Sequence, residues 1–157
     1  MTSMESMLAF SAMLSALHLI ALALGAPAIF LRGRALKGPL DAAAVSRVLA
    51  ADSVWGIAAA LWLATGLTRA FGGFEKGADF YLHNPFFHAK LGLFVLILLL
   101  EIRPMVTFMR WRISRAKGEA PDTSGARAIY TLNHIEIALV GVMVFVAAFM
   151  ARGFGAR

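Results

Sequence analysis

The stretch MLAFSAMLSALHLIALALGAPAIFL, residues 7–31, contains no formally charged side chain. A hydrocarbon core of ~30 Å takes roughly 20 helical residues to cross, so this stretch is long enough to span a membrane once. A segment in lipid must satisfy its own backbone hydrogen bonds, and the apolar residues do not alternate as they would in a barrel strand. The stretch therefore predicts a transmembrane helix, and Pro27 is expected to bend it near its end.

Three more apolar stretches follow, at about residues 53–71, 87–109 and 129–150. Hydrophobic residues make up 60% of the 157 residues and charged residues 15%, whereas soluble domains carry about 45–50% and about 25%. The high hydrophobicity also excludes a disordered chain. We therefore predict an all-α polytopic membrane protein, a four-transmembrane-helix bundle that forms a single domain over residues 1–157.

The positive charges are divided unevenly between the two sides of these spans. Ten of the 15 Lys and Arg lie in or beside the connections that follow the first and third spans, and five lie on the opposite side. The positive-inside rule then places both termini outside the cytoplasm, which is the periplasm for a bacterial inner membrane. The net charge of +6 is thus a topology signal. Because no soluble basic module is left over, we predict the lipid bilayer as a partner and no nucleic acid.

Missing residue types and motifs narrow the chemistry. The chain contains no cysteine, which excludes disulfides, thiolate metal sites, iron–sulfur clusters and covalently attached c-type haem. No HExxH, Walker or GxGxxG pattern occurs, so motif evidence for hydrolases and nucleotide enzymes is absent.

Ionisable residues inside the predicted spans are the candidate functional residues, because a charge at membrane depth is costly. On the first span, Ser11, Ser15 and His18 share one helical stripe, and hydroxyl residues of this kind line helix contacts in membranes. His18 is therefore predicted to point into the bundle. It would either hydrogen-bond to a neighbouring helix or serve as an axial ligand of a haem or metal ion.

The third span places Lys90 and Glu101 on one face, roughly 16 Å apart along the axis. Lys90 lies near the outer surface, where it would either extend to lipid headgroups or hold an anionic group such as a propionate. Glu101 lies deeper, where it would either pair with an arginine such as Arg103 or transfer protons. These two are the predicted catalytic residues. Asp52, before the second span, is expected to pair with an arginine on the inner side.

Two more histidines are candidate second ligands for a cofactor, His134 on the fourth span and His88 at the outer end of the third. His134 shares a face with small residues that we predict to be a packing surface, and His18 with His134 is the predicted metal-binding pair. Ideal helical rise places both His134 and His88 at a different depth from His18, so the spacing does not require a bis-histidine site. Glu136 lies ~200° round the helix from His134, so the two cannot face one partner.

One resemblance covers nearly the whole chain. The run Asp52-Ser53-Val54-Trp55-Gly56 is followed by a scattered set of matching residues: Gly66, Arg69, Lys76-Gly77, Phe80-Tyr81, Asn84, Phe87, Lys90 and Pro104. This pattern resembles a family of small bacterial inner-membrane proteins known only as predicted membrane proteins with a domain of unknown function. The resemblance implies a membrane location and no particular reaction.

A more distant resemblance implies more chemistry. The segments Ala16-Leu17-His18-Leu19-Ile20-Ala21, Gly66-Leu67 and His88-Ala89-Lys90-Leu91 are similar to the first three spans of HemJ-type protoporphyrinogen oxidases and of CopD-like copper-resistance proteins. HemJ-type proteins bind haem b and use a first-span histidine and a third-span lysine, and His18 and Lys90 stand at the matching positions. Where that family commonly has a further histidine, this chain has Glu101.

Three hypotheses for the function follow. The first is a b-type haem protein of electron transfer or tetrapyrrole oxidation, with His18 as an axial ligand and either His134 or His88 as the second. The second is an accessory or assembly subunit of a membrane complex, and the third is a carrier of a small solute or ion. A membrane redox partner or a second copy of the chain would be the protein partners. Whether the chain is an enzyme stays open.

Overall fold

The computed structural model describes residues 2–74 and 77–155 of the chain. Within these ranges it contains α-helices and no β-strand, and the helices are α1 (Ser3–Leu36), α2 (Ala42–Phe71), α3 (Ala78–His83), α4 (Pro85–Ala116) and α5 (Ala126–Ala151). All of them except α3 are long and apolar enough to cross a membrane. The predicted all-α, four-span architecture is therefore confirmed.

The spanning helices extend beyond the predicted spans because polar residues cap them. Thr2 and Glu5 form a capping box at the start of α1, and Asp41 caps α2 by accepting from the Ala44 amide at 2.7 Å. The Asn84 side chain accepts from the Phe86 amide at 2.9 Å and begins α4. The prolines do not end their helices, since α1 continues through Pro27 to Leu36.

The bundle is a ring in which each helix packs mainly on its neighbours. α1 packs extensively on α2 and also on α5, α5 packs on α4, and α2 and α4 barely touch. We call the end that carries α3 the outer end, and the end where α1 meets α2 and α4 meets α5 the inner end. Large apolar side chains such as Ile57, Leu99 and Phe145 are exposed on the outward faces, as a lipid-facing surface requires.

The buried apolar residues form two clusters at different depths. One lies in the middle of the bundle and includes Trp55, Trp62, Ile97 and Met143. The other lies at the inner end and includes Val48, Leu49, Phe108, Trp111 and Ile129. The middle cluster separates the polar groups of the interior into two regions.

Candidate functional site

The two polar regions of the interior lie around His18 and around Arg32. The two residues are both buried on α1, and their 14-residue separation corresponds to ~21 Å of helix. His18 borders a cavity near the outer end, whereas Arg32 belongs to a cluster of charged side chains near the inner end. We refer to them as the His18 cavity and the Arg32 cluster.

The His18 cavity has a volume of about 500 Å³ and is bounded by all four spanning helices, with α3 at its outer end. Ligand pockets commonly measure about 300–1,000 Å³ and combine apolar walls with a few convergent polar groups. The walls here are mostly Leu, Ala, Met and aromatic side chains, and the polar members are Ser15, His18, Arg69, Tyr81 and Lys90. The cavity thus has the size and composition of a site for an apolar ligand with a charged end.

A hydrogen-bond chain fixes the tautomer of His18. Its Nδ1 lies 2.8 Å from Thr65 Oγ1, and that hydroxyl donates its single proton to the Leu61 carbonyl at 2.6 Å. A hydroxyl that donates to Leu61 accepts from His18, so the proton of this pair is on Nδ1, and in the neutral imidazole the lone pair is then on Nε2. Histidines that bind a metal are held in this way, by a hydrogen bond from the other ring nitrogen.

The neighbours of His18 set its position. The Trp62 ring lies 5.8 Å from the imidazole, centroid to centroid. A Cβ at Gly66 would lie 3.3 Å from His18 Cε1, so any larger residue there would crowd the ring. His18 therefore points into the bundle, as predicted, and it sits against α2.

Two cations lie toward the outer end of the same cavity. Arg69 is one helical turn beyond Thr65 on α2, and Lys90 is in the second turn of α4. Both are partly buried, and the buried Tyr81 of α3 lines the cavity with them. A ligand with anionic groups at one end is the kind that this arrangement fits, because the charges would pair while the body stayed in the apolar part.

The other candidate histidines lie elsewhere. His88 is exposed, and its Nε2 contacts the Leu82 carbonyl at 2.8 Å. His134 is exposed too, and its Nδ1 contacts the Tyr130 carbonyl at 2.8 Å. Neither lines the His18 cavity. The structure therefore does not bring them to His18, and their ligand roles stay predictions.

The predicted packing face of α5 is wrong. Residues 134, 138, 141 and 145 are exposed, and the buried face consists instead of Asn133, Glu136, Val140 and Met143. The error has a physical cause: small residues suggested close helix contacts, but the other stripe carries the polar groups that a bundle must bury. The two faces are offset, so Glu136 points inward while His134 does not.

The Arg32 cluster joins all four spanning helices through one guanidinium. Arg32 is fully buried, donates to Asn133 Oδ1 at 2.7 Å and forms salt bridges with Asp52, Glu101 and Glu136. Glu101 uses both carboxylate oxygens, at 2.5 and 2.9 Å. Glu101 thus takes the salt-bridged alternative, with Arg32 in place of the suggested Arg103. Its predicted role in proton transfer stays a prediction.

A second arginine extends the cluster to the inner end. Arg112 of α4 donates to Asp52 Oδ2 at 3.0 Å, to Ser53 Oγ at 2.8 Å and to the Leu49 carbonyl at 2.9 Å, all on α2. Asp52 is therefore paired with arginines on the inner side, as predicted. These bonds tie α2 to α4 at a depth where the two helices otherwise barely touch.

The cluster holds more carboxyl groups than cations. Arg32 and Arg112 face three carboxyl groups, those of Asp52, Glu101 and Glu136. The Oε1 atom of Glu136 is fully buried and, within the part of the chain that the structure describes, has no hydrogen-bond partner. Glu101 and Glu136 are neighbours, because both accept from the same Arg32 nitrogen, Nη2, at 2.9 and 2.7 Å. A donor at Oε1 would therefore satisfy both groups.

Glu136→Gln tests this imbalance. The amide supplies a donor toward Glu101, keeps an oxygen for Arg32 and removes one negative charge, so we expect an unchanged or raised melting temperature in detergent at neutral pH. Glu101→Gln is the matched control, because it turns a donor toward the guanidinium and should cost about 1–3 kcal/mol. Equal losses for the two variants would contradict the inferred imbalance.

Gly33→Ala tests how tightly the cluster is packed. A Cβ at residue 33 would lie 2.6 Å from Asn133 Nδ2, and Asn133 cannot move freely because it is bonded to both Arg32 and the Ile29 carbonyl. We expect a loss of about 1–3 kcal/mol of unfolding free energy. Gly56→Ala is the control, since its Cβ meets nothing within 4 Å. It should gain about 0.5–1 kcal/mol in helix stability. A neutral Gly33→Ala in thermal melts would show that the cluster is loosely packed.

Sequence reasoning missed Arg32, Thr65, Arg69 and Asn133 as members of these two regions. In the sequence, Arg32 is one of the positive charges that indicate the topology, although it lies close to four helical turns from His18 and so on a similar face. Arg69 stands one turn beyond Thr65, which in turn faces His18. That spacing was the available signal, but it becomes informative only when the neighbouring helix is known.

Comparison with known proteins gives a family and no function. No curated protein and no solved structure matches the chain. The family described as "Predicted membrane protein (DUF2214)" matches residues 10–155, which cover α1 from Phe10 onward and the whole of the other three spanning helices. The chain therefore belongs to the DUF2214 family of predicted membrane proteins.

Proposed function

We propose that this protein binds a b-type haem in the His18 cavity and acts as a redox protein of the membrane. The observation that carries the proposal is a buried imidazole, held at Nδ1 by Thr65, in an apolar cavity whose outer end holds two cations. Haem sites in helix bundles are built in this way, from inward side chains on facing helices. The resemblance of the His18 and Lys90 segments to haem-binding spans agrees with it.

Each residue of the cavity has a distinct task in this proposal. His18 would bind the iron through Nε2, and Thr65 would hold the ring in the required tautomer. Arg69 and Lys90 would bind the two propionates, so Lys90 would serve as a binding residue. The apolar walls exclude water and set the low dielectric around the iron. When bound, haem b supplies a one-electron couple between ferric and ferrous iron.

The donor set fits haem better than a bare metal ion. Among the described residues, no group of three His, Asp or Glu side chains is arranged to hold a metal ion. A haem needs fewer ligands from the protein than a bare metal ion does, because the porphyrin supplies its own ligands and the chain adds only the axial ones. The proposal assigns one axial ligand, His18, and does not use His88 or His134.

We also infer a location in a bacterial inner membrane, with both termini in the periplasm. The ten-to-five distribution of positive charges supports this orientation. The His18 cavity would then lie in the periplasmic half of the membrane and the Arg32 cluster in the cytoplasmic half. The predicted proton-transfer role of Glu101 would therefore act at a distance from the haem, across the middle apolar cluster.

A haem titration tests the proposal. Purified protein in mild detergent is titrated with haemin, and we expect a Soret band that saturates at one haem per chain. The dimethyl ester of haemin lacks the propionate charges and should bind more weakly, whereas Arg69→Gln/Lys90→Gln should weaken haemin and leave the ester unaffected. No saturable band from folded protein would overturn the proposal and favour an accessory subunit.

A further inference from the structure

We infer that the His18 cavity exchanges its ligand directly with the bilayer, through an opening between α2 and α4. This inference rests on the proposed function for the identity of the ligand. It adds the route and the class of molecule, which is an amphiphile dissolved in the membrane with an anionic end and an apolar body.

The seam between α2 and α4 is the weak contact of the bundle. α1 packs extensively on α2, and α5 packs on both α1 and α4, whereas α2 and α4 barely touch. At the inner end the seam is closed by Arg112, which bonds to Asp52, Ser53 and the Leu49 carbonyl. At the outer end the Phe71 ring of α2 lies edge to face with the Phe87 ring of α4, 6.1 Å from centroid to centroid, and α3 contacts both helices. Among the described residues, an opening lies between these two contacts.

A second, smaller cavity of about 60 Å³ occupies that opening. It shares His18, Trp62, Gly66, Phe87, Lys90 and Met143 with the main cavity. Its remaining lining residues are Leu63, Leu67, Leu91 and Phe94, and the three leucines are 38–43% exposed on the outward faces of α2 and α4. The space beside His18 therefore continues to the lipid-facing surface.

The chemistry of the opening selects the ligand class. Its rim consists of leucine and phenylalanine, which an ion or a polar solute would have to pass without hydrogen bonds. An aqueous route at the outer end meets α3, where Tyr81 is buried and Phe80 also lines the cavity. A flat or long apolar body can pass leucines at little cost, and its anionic groups then reach Arg69 and Lys90. Haem fits this description, as do lipophilic acids.

A cross-link across the opening tests the route. The chain has no cysteine of its own, so Leu67→Cys/Leu91→Cys introduces a single pair that a short bis-maleimide cross-linker can join after folding. We expect cross-linked protein in vesicles to take up haemin from the bilayer about tenfold more slowly or worse, with normal uptake when the cross-linker is left out. The two single-cysteine variants, treated identically, are the controls and should keep the normal rate.

A second readout does not depend on haem. In a Trp55→Phe/Trp111→Phe background, Trp62 is the remaining tryptophan, and lipids with a spin label on the acyl chain should quench its fluorescence through the opening. The cross-link should reduce that quenching. If haemin uptake is equally fast with and without the cross-link, the route is wrong and the haem proposal stands. If haemin never binds but quenching responds to the cross-link, the haem proposal fails and the route stands. If the cross-link changes neither the quenching of Trp62 nor the rate of haemin uptake, the inference is wrong.

Discussion

Arg32→Met is expected to prevent the protein from reaching a stable fold. The guanidinium is fully buried and is the shared partner of Glu101, Glu136 and Asn133. Removing one member of a buried ion pair costs about 3–5 kcal/mol, because the other charge is left without compensation. Here one substitution removes the partner of several buried groups at once. The cost is large because typical domains have a free energy of unfolding of only about 5–15 kcal/mol. We expect little monodisperse protein on size exclusion in detergent and no cooperative melt by circular dichroism.

Two further variants make this result specific. Arg34→Met is the matched control, since Arg34 is on the same helix but exposed, and it should leave the melt unchanged. Arg32→Met/Glu101→Gln/Glu136→Gln removes the uncompensated charges together and should recover much of the folded yield. A stable Arg32→Met protein, or no recovery in the triple variant, would show that the cluster does not hold the bundle together through charge.

His18→Ala is expected to abolish haem binding while leaving the fold intact. The substitution removes the Nε2 lone pair that we assign as the axial ligand, whereas Thr65 keeps its hydrogen bond to the Leu61 carbonyl. The Soret band in a haemin titration should be lost, and added imidazole should partly restore it by occupying the space that the side chain leaves. His88→Ala and His134→Ala are the controls, because both side chains are exposed and neither lines the cavity.

Thr65→Val tests the hydrogen bond that orients His18. Thr65→Val keeps the shape of the side chain but removes the acceptor for Nδ1–H, and changes of this kind weaken metal affinity about 10–100-fold. We expect Thr65→Val to bind haemin with an affinity between those of the unchanged protein and His18→Ala. Full affinity in Thr65→Val would show that His18 does not depend on that hydrogen bond.

The number and identity of the spanning helices could be predicted from sequence, because length and hydropathy alone determine which segments tolerate lipid. The positions of the helix ends could not be predicted in this way. α1 runs to Leu36 and α4 to Ala116, beyond the apolar stretches, since polar turns continue a helix at the membrane surface when caps and buried side chains support them.

Within the site, the inward position of His18 was predictable from a hydroxyl stripe on a single helix. The partners were not, because they come from other helices. Glu101 and Asp52 were expected to meet an arginine. Their shared partner, Arg32, lies near the end of α1, where an arginine in the sequence indicates only the topology. The prediction that the His134 face of α5 packs in the bundle was wrong because it relied on the small residues of that face. Asn133 and Glu136, on the other stripe, form the buried contacts.

The measurement that tests the central claim most directly is the optical spectrum of the protein purified in mild detergent from cells supplied with haem. We predict a Soret band in the oxidised protein and, after reduction with dithionite, the sharpened bands of a ferrous b-type haem, with one haem per chain. Protein that is folded by circular dichroism but shows no haem bands, and gains none when haemin is added, would contradict the assignment of His18 as an axial ligand.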